Sequence, residues 1–249
     1  MRTSSEIHSD VSMYANGPKA ICVVQPNKCA PSETFIHAQA ERLPVPTTVL
    51  FGKRPFRAPA RSSDRLRYAR LRMRRLLTRR SSDWEYTQHS VELLSEIQPD
   101  VVVAQFGPVG VRIMEACRQL DLPLVVNFRG ADASIHRLVK QYASAYRELF
   151  KQAAAIIAVS HSIEQKLLSL GAPREKLFWN PSGADCDRFH GSAPEAAPPI
   201  VLGTGRFVEK KAPHLLIQAF AEVQRQRPAA RLRMIGDGPL MPFCVELVE

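Results

Sequence analysis

Between Pro198 and Phe220 a short apolar run, IVLGTG, gives way to Arg206, Lys210 and Lys211 and then to the amphipathic segment APHLLIQAF. Residue types in that order describe an anion site. Val201 and Leu202 predict a buried strand, and Gly203 and Gly205 a tight backbone turn. Pro213 suits the first turn of a helix whose apolar face is Leu216, Ala219, Phe220 and Val223. The unpaired N–H groups and the dipole at a helix N-terminus favour a phosphate, and the cations at that end add charge to hold it.

The elements that must position this site follow from hydrophobic patterning. KAICVVQPNK predicts a first strand ended by Pro26, and the segment after it predicts a helix with Ser32 as N-cap, Glu33 in its first turn and Phe35, Ile36, Ala40 and Leu43 as its stripe. TTVLFG predicts a second strand. Further on, DVVVAQFG, LVVNFRG, AAIIAVS and KLFWNPSG predict strands, each separated from the next by a helical segment. Continuous apolar strands alternating with helices mean a parallel sheet covered on both faces. HGSAPEAAPP reads as a linker over residues 190–199, after which the alternation restarts with PIVLGTG, a helix, ARLRMIGDG and PLMPFCVELVE. The expected organisation is a polar leader over 1–19, a Rossmann-like domain over 20–189, the linker, and a second Rossmann-like domain begun at 200 and incomplete at 249.

Composition narrows the class. The chain has 249 residues, 45% hydrophobic and 23% charged, as expected of a globular protein. Its five cysteines form no Cys-x-x-Cys pair or zinc spacing, which predicts reduced thiols in a cytoplasmic protein. The N-terminal stretch lacks the apolar core of a signal peptide, and no run is long enough to span a membrane. Residues 53–80 hold twelve Lys or Arg against the single acid Asp64, so this stretch alone exceeds the net charge of +10. Leu66, Ala69, Met73, Leu76 and Leu77 repeat at helical spacing there, giving a cationic amphipathic helix over about 65–80. Three readings apply: an anionic membrane surface, which is favoured; nucleic acid, disfavoured because Tyr68 is the lone aromatic; or a surface helix packing through Leu66, Met73 and Leu76.

GRFVEKKAPHLLIQAF, ARLRMIGDGPL and the upstream AVSHSIEQKLLSLGAPREKLFWNPSGADCDRF, strung together in their order along the chain, resemble the retaining glycosyltransferases of family 4 (glycosyl transferases group 1). The likeness runs from about Asp100 onward, and SETFI looks like a loop of the exopolysaccharide-building branch. It implies the α/β GT-B architecture of two Rossmann-like domains. It also assigns donor diphosphate binding to Gly205, Arg206 and Lys211, with Lys210 and Gly203 beside them; the family's glycine after the lysine is Ala212 here. FRGAD matches a family pattern in which Arg129 stands where the family has histidine, with Gly130 and Asp132 retained. Asp132 can accept hydrogen bonds from sugar hydroxyls or cap the next helix, and Arg129 can face phosphate or an acidic acceptor. Glu33 and Thr34, at the mouth of the first strand, are acceptor-side candidates or an ordinary helix start, and His161 reads as a helix-start residue. Asp185 and Asp187 of DCD resemble the end of the first GT-B domain rather than an Asp-x-Asp metal site, so metal independence is expected.

The implied activity is transfer of a sugar, with retention, from a UDP- or GDP-linked donor to a glycan acceptor, lipid-linked at the inner face of the cell membrane. Fixed cations would stabilise the departing diphosphate. The family's glutamate pair, seven residues apart, comes later in the second domain; Glu246 and Glu249 are too close together and too early to be it. The competing reading is a catalytically inactive fragment retained for membrane or partner binding.

Overall fold

The computed structural model describes residues 17–27, 33–52, 56–57, 62–191 and 193–248. The expected N-cap Ser32, most of the leader, Cys29 and part of the basic stretch lie outside them. The chain divides into two compact units, Met1–Gly183 and Ala184–Glu249.

In the first unit, β1 (Ile21–Gln25), β2 (Thr47–Phe51), β4 (Val101–Gln105), β5 (Leu124–Phe128), β6 (Ala155–Ala158) and β7 (Leu177–Trp179) run parallel, and β3 (Phe56–Arg57) adds an antiparallel edge beside β2. The order β3-β2-β1-β4-β5-β6-β7 reverses direction between β1 and β4, the switch point at which open parallel sheets form a ligand crevice beyond their carboxyl ends. The helices are α1 (Thr34–Glu41), α2 (Ser62–Leu77), α3 (Ser82–Ile97), α4 (Gly107–Gln119), α5 (Ala131–Ser134), α6 (His136–Gln152) and α7 (His161–Ser169). Ser81 and Ser160 cap α3 and α7 by accepting from Trp84 N and Ile163 N. One face of the sheet buries Val102, Val126, Ile113, Leu149 and Phe150 in the main core; the other packs Ile21 and Val23 with Ala40 of α1.

The basic helix packs differently from its sequence stripe. Leu66, Met73 and Leu76 are 72%, 60% and 58% exposed, and Asp64, Tyr68 and Leu71 are the buried face instead. The reason is electrostatic. α3 presents Glu85, which pairs with Arg75 of α2, Glu92, which pairs with Arg67 and Arg70, and Glu96, which pairs with Arg67, turning that side inward and the leucine stripe outward.

The second unit holds β8 (Ile200–Thr204) and β9 (Arg231–Ile235) in parallel, flanked by α8 (Pro213–Gln226) and α9 (Met241–Glu246). Here the expected burial fails. Val201 and Leu202 are 44% and 57% exposed because each strand has one neighbour among the described residues and lacks cover on both faces. α8 buries Pro213 and Phe220, with Leu216 and Ile217 half-buried, and leaves Ala219 and Val223 outside. Residues 194–196 of the linker stretch form a 3-10 turn.

Candidate functional site

Two groups of candidate residues are assembled, one in each unit. In the second unit, the loops after β8 and β9 are stitched backbone to backbone. Gly205 N donates to Ile235 O at 3.0 Å, Phe207 N to Asp237 O at 2.9 Å, and Leu240 N to Phe207 O at 3.0 Å. Two glycines make this approach possible. A Cβ on Gly236 would stand 1.8 Å from Gly205 O, and one on Gly238 would stand 2.5 Å from Phe207 O. Gly203 serves packing, since its Cβ would meet Leu216 Cδ2 of α8 at 2.7 Å. Gly205 differs: among the described residues nothing lies within 4 Å of where its Cβ would be, which leaves open space against the backbone. Arg206, Lys210 and Lys211 are exposed beside it, and no partner among the described residues holds their side chains. The glycine turn does not run directly into a helix N-terminus. A 3-10 turn, Glu209–Lys211, intervenes, and Ala212 takes a left-handed conformation (φ 45°, ψ 53°) before α8 begins. A non-glycine residue holds that conformation at a cost of about 1–2 kcal/mol.

In the first unit, Asp132, Arg129 and Glu33 lie at the carboxyl ends of β5 and β1. Asp132 is 2% exposed, and its carboxylate is taken up by the backbone. Oδ2 accepts from Gly107 N at 3.0 Å, while Oδ1 accepts from Gly130 N at 2.9 Å and Arg129 N at 3.1 Å. Tyr146 Oη donates to the Asp132 carbonyl at 2.9 Å. Burial pushes the carboxyl above its ordinary value against the pull of those N–H groups. Asp132 thus joins the β5 turn to the first turn of α4, and its carboxylate faces protein donors.

Arg129 is a bracket. Its Nε donates to Gln105 Oε1 at 2.9 Å, one terminal nitrogen donates to Ser182 Oγ at 3.1 Å, and the other donates to Gln39 Oε1. The guanidinium lies 4.7 Å from the centre of the Phe35 ring. Burial lowers its pKa to about 10, opposed by the charges of Asp132 and Glu33. Three of its five N–H groups are therefore committed to protein oxygens. Glu33 occupies the N-cap position of α1 without capping it among the described residues; its carboxylate instead accepts from Asn27 Nδ2 at 3.0 and 3.1 Å.

Patterning alone overlooked the amides beneath this bracket. Gln105 pairs in register with Asn127, and Gln25 ends the adjacent β1, so three buried amides form one rung across the switch point. Gln25 Oε1 and Asn127 Oδ1 have no partner among the described residues. The signal was present in the sequence: VVQ, VAQ and VVN each place an amide at or next to the end of an apolar strand. Asp185 of DCD caps a local turn by accepting from Arg188 N at 3.2 Å, and among the described residues no group of three His, Cys, Asp or Glu is placed to hold a metal ion.

Comparison with known proteins places this geometry. The family described as "Glycosyl transferase 4-like domain" matches residues 32–183. WcaL of Escherichia coli strain K12, a glycosyltransferase assigned to colanic acid biosynthesis, is 30% identical over 154 residues, covering 59% of this chain and 37% of that protein. The amylovoran biosynthesis glycosyltransferase AmsK of Erwinia amylovora is 27% identical over 146 residues, covering 57% and 36%. The match thus spans little more than a third of each curated relative. Among solved structures, Anabaena HepE in complex with UDP and glucose superposes with a TM-score of 0.63 at 16% identity, covering 93% of this chain and 65% of HepE. The lipopolysaccharide outer core galactosyltransferase WaaB gives 0.51 at 14% identity, covering 92% and 64%. These likenesses show an α/β fold of the GT-B type. With the family matched over more than half of its length, the chain belongs to the glycosyl transferase 4-like family.

Proposed function

We propose that this protein acts as a glycosyltransferase of polysaccharide biosynthesis, moving a sugar from a UDP- or GDP-linked donor to a glycan acceptor with retention of configuration and without a metal ion. The observation that carries the donor half is the open backbone at Gly205 beside the unpartnered Arg206 and Lys211. Departure of a nucleoside diphosphate concentrates negative charge on the leaving oxygen, and the two cations beside the loop stabilise it where it develops. HepE, whose structure holds UDP, supports this reading by fold. The acceptor half belongs to the β1/β4 switch point, where Asp132 fixes the β5 turn and Arg129 fixes α1 against β4. In this account Asp132 and Arg129 are positioning residues. Titration calorimetry with UDP and GDP tests the donor half: saturable heat is expected, and its loss in the Arg206→Ala, Lys211→Ala double variant.

The outward stripe of α2 favours a membrane partner as well. Leu66, Met73, Leu76 and Leu77 are exposed together, with Arg65 and Arg72 along one flank. An apolar stripe edged by arginines lies in the plane of an anionic bilayer, each cation near the surface adding about 1 kcal/mol. No helix among the described residues is long and apolar enough to cross a membrane, so the proposed location is peripheral, at the inner face of the cell membrane with a lipid-linked acceptor. Co-sedimentation with vesicles containing phosphatidylserine is expected, with little on neutral vesicles. Retained binding by a Leu66→Asp, Leu76→Asp variant would exclude this face.

A further inference from the structure

A cavity of about 730 Å³ in the second unit is apolar, but one of about 680 Å³ on the helical flank of the first unit is of another kind. It opens between the first turns of α3 and the outer face of α4, with Tyr142 of α6 as one wall. Aromatic side chains and hydrogen-bonding groups alternate around it. Trp84 and Tyr142 are half-buried at its rim, whereas Tyr86 is buried as the floor with the Arg112 guanidinium 4.0 Å above its ring. Two of the walls are backed by protein side chains. Tyr142 stacks on the buried Tyr146 at 5.7 Å and 21°, and Trp84 is backed by Arg74 at 5.9 Å.

The polar groups define the ligand's charge. Glu115 is held by two bonds of 2.8 Å from Arg118 and a third of 2.8 Å from Gln119, which keep its carboxyl down at about 2, so it is ionised throughout the physiological range. Asp83 adds a second carboxylate, and Arg112 together with the Arg118 that binds Glu115 balances the pair. A phosphate or carboxylate entering this space would find no net positive charge to hold it. A neutral polyol needs none: its C–H faces lie on the Trp84 and Tyr142 rings at the rim, and its hydroxyls bond carboxylates and amides. The volume falls in the range of pockets that enclose small organic ligands, with room for more than one sugar ring.

We propose that this cavity binds neutral hexopyranose units of a glycan, so that the first unit holds carbohydrate on its helical flank as well as at the ends of its strands. The site does not depend on the donor reading. Trp84 reports on it once the other tryptophan, Trp179, is replaced, so the measurement is fluorescence of the Trp179→Phe protein titrated with maltohexaose and laminarihexaose. At least one should give a saturable change with Kd in the range of roughly 0.1–5 mM. Hexagalacturonate should bind at least tenfold more weakly, and Gln88→Ala with Gln119→Ala, both on the surface of their helices, should weaken the neutral ligand at least fivefold. No saturable change with either neutral hexasaccharide up to about 20 mM, equal binding of hexagalacturonate, or an unaltered titration in the double variant would overturn the proposal. UDP binding measured on the same sample separates this outcome from failure of the donor site.

Discussion

Replacing Asp132 distinguishes a residue that positions from one that contacts substrate. Its carboxylate accepts three backbone N–H groups, from Gly107, Arg129 and Gly130, at 2.9 to 3.1 Å, and the side chain is 2% exposed. Asp132→Asn keeps one acceptor oxygen and turns an NH2 group toward another donor, leaving one buried N–H unsatisfied at a cost of about 1–3 kcal/mol. Asp132→Ala removes the acceptors of all three N–H groups and is expected to cost roughly 3–5 kcal/mol. For a unit of this size each kcal/mol lowers Tm by about 2–4 °C, so the alanine variant should melt roughly 6–20 °C lower and the asparagine variant roughly 2–12 °C lower. Circular dichroism during heating reads both. The pH dependence adds a sign. Burial raises the carboxyl in the folded state, so the folded protein holds this proton more tightly than the unfolded chain. Asp132 therefore contributes stability that is full below the ordinary carboxylate pKa and is lost as pH rises through the raised folded value. That downward slope should be absent in Asp132→Asn. UDP affinity should stay within twofold, because the residue belongs to the first unit. An alanine variant within 1 kcal/mol of wild type would refute the reasoning.

Other consequences follow from the same geometry. Gly236→Ala drives a Cβ into Gly205 O, so UDP affinity should fall at least tenfold by calorimetry, whereas Gly205→Ala meets no atom but strains the backbone at φ 159°, and should lose both some stability and some affinity. Arg129→Lys cannot bridge Gln105, Gln39 and Ser182 at once and should recover less than half of the stability lost in Arg129→Ala, measured by urea unfolding. Of the cysteines, Cys186 is exposed, while Cys117 and Cys22 are buried and burial pushes the Cys117 thiol to about 12. Brief treatment with N-ethylmaleimide at neutral pH followed by peptide mass spectrometry should find Cys186 labelled and the buried Cys22, Cys117 and Cys244 intact.

The sheet was legible because apolar runs such as VVVAQ and AIIAV mark its buried strands directly, and Pro99 and Gly171 mark where two of the helices between them end. β3 was not, since a two-residue antiparallel edge leaves no period. Spacing on the basic helix marked Leu66, Met73 and Leu76 as an apolar stripe for either a membrane or internal packing, and the choice between an inward and an outward stripe rests on Glu85, Glu92 and Glu96 of a different helix, which a one-helix reading does not weigh. The cations of the donor loop were found from Arg206 and Lys211 themselves. Gly236 and Gly238 were not, because their need for glycine arises from a loop thirty residues earlier in the chain. Arg129 shows the same limit: its type suggested an anion receptor, and only its placement among Gln39, Gln105, Ser182 and Phe35 shows where its hydrogen bonds go.

The central claim is that the loop after β8 binds a nucleoside diphosphate through Arg206 and Lys211. Calorimetric titration of UDP and GDP into the chain and into the Arg206→Ala, Lys211→Ala variant tests it most directly. Each charge-assisted hydrogen bond contributes about 1.5–3 kcal/mol, so removing both cations should weaken binding by at least a hundredfold. Binding that the double variant retains, or no binding of either nucleotide by the unaltered chain, would contradict the account.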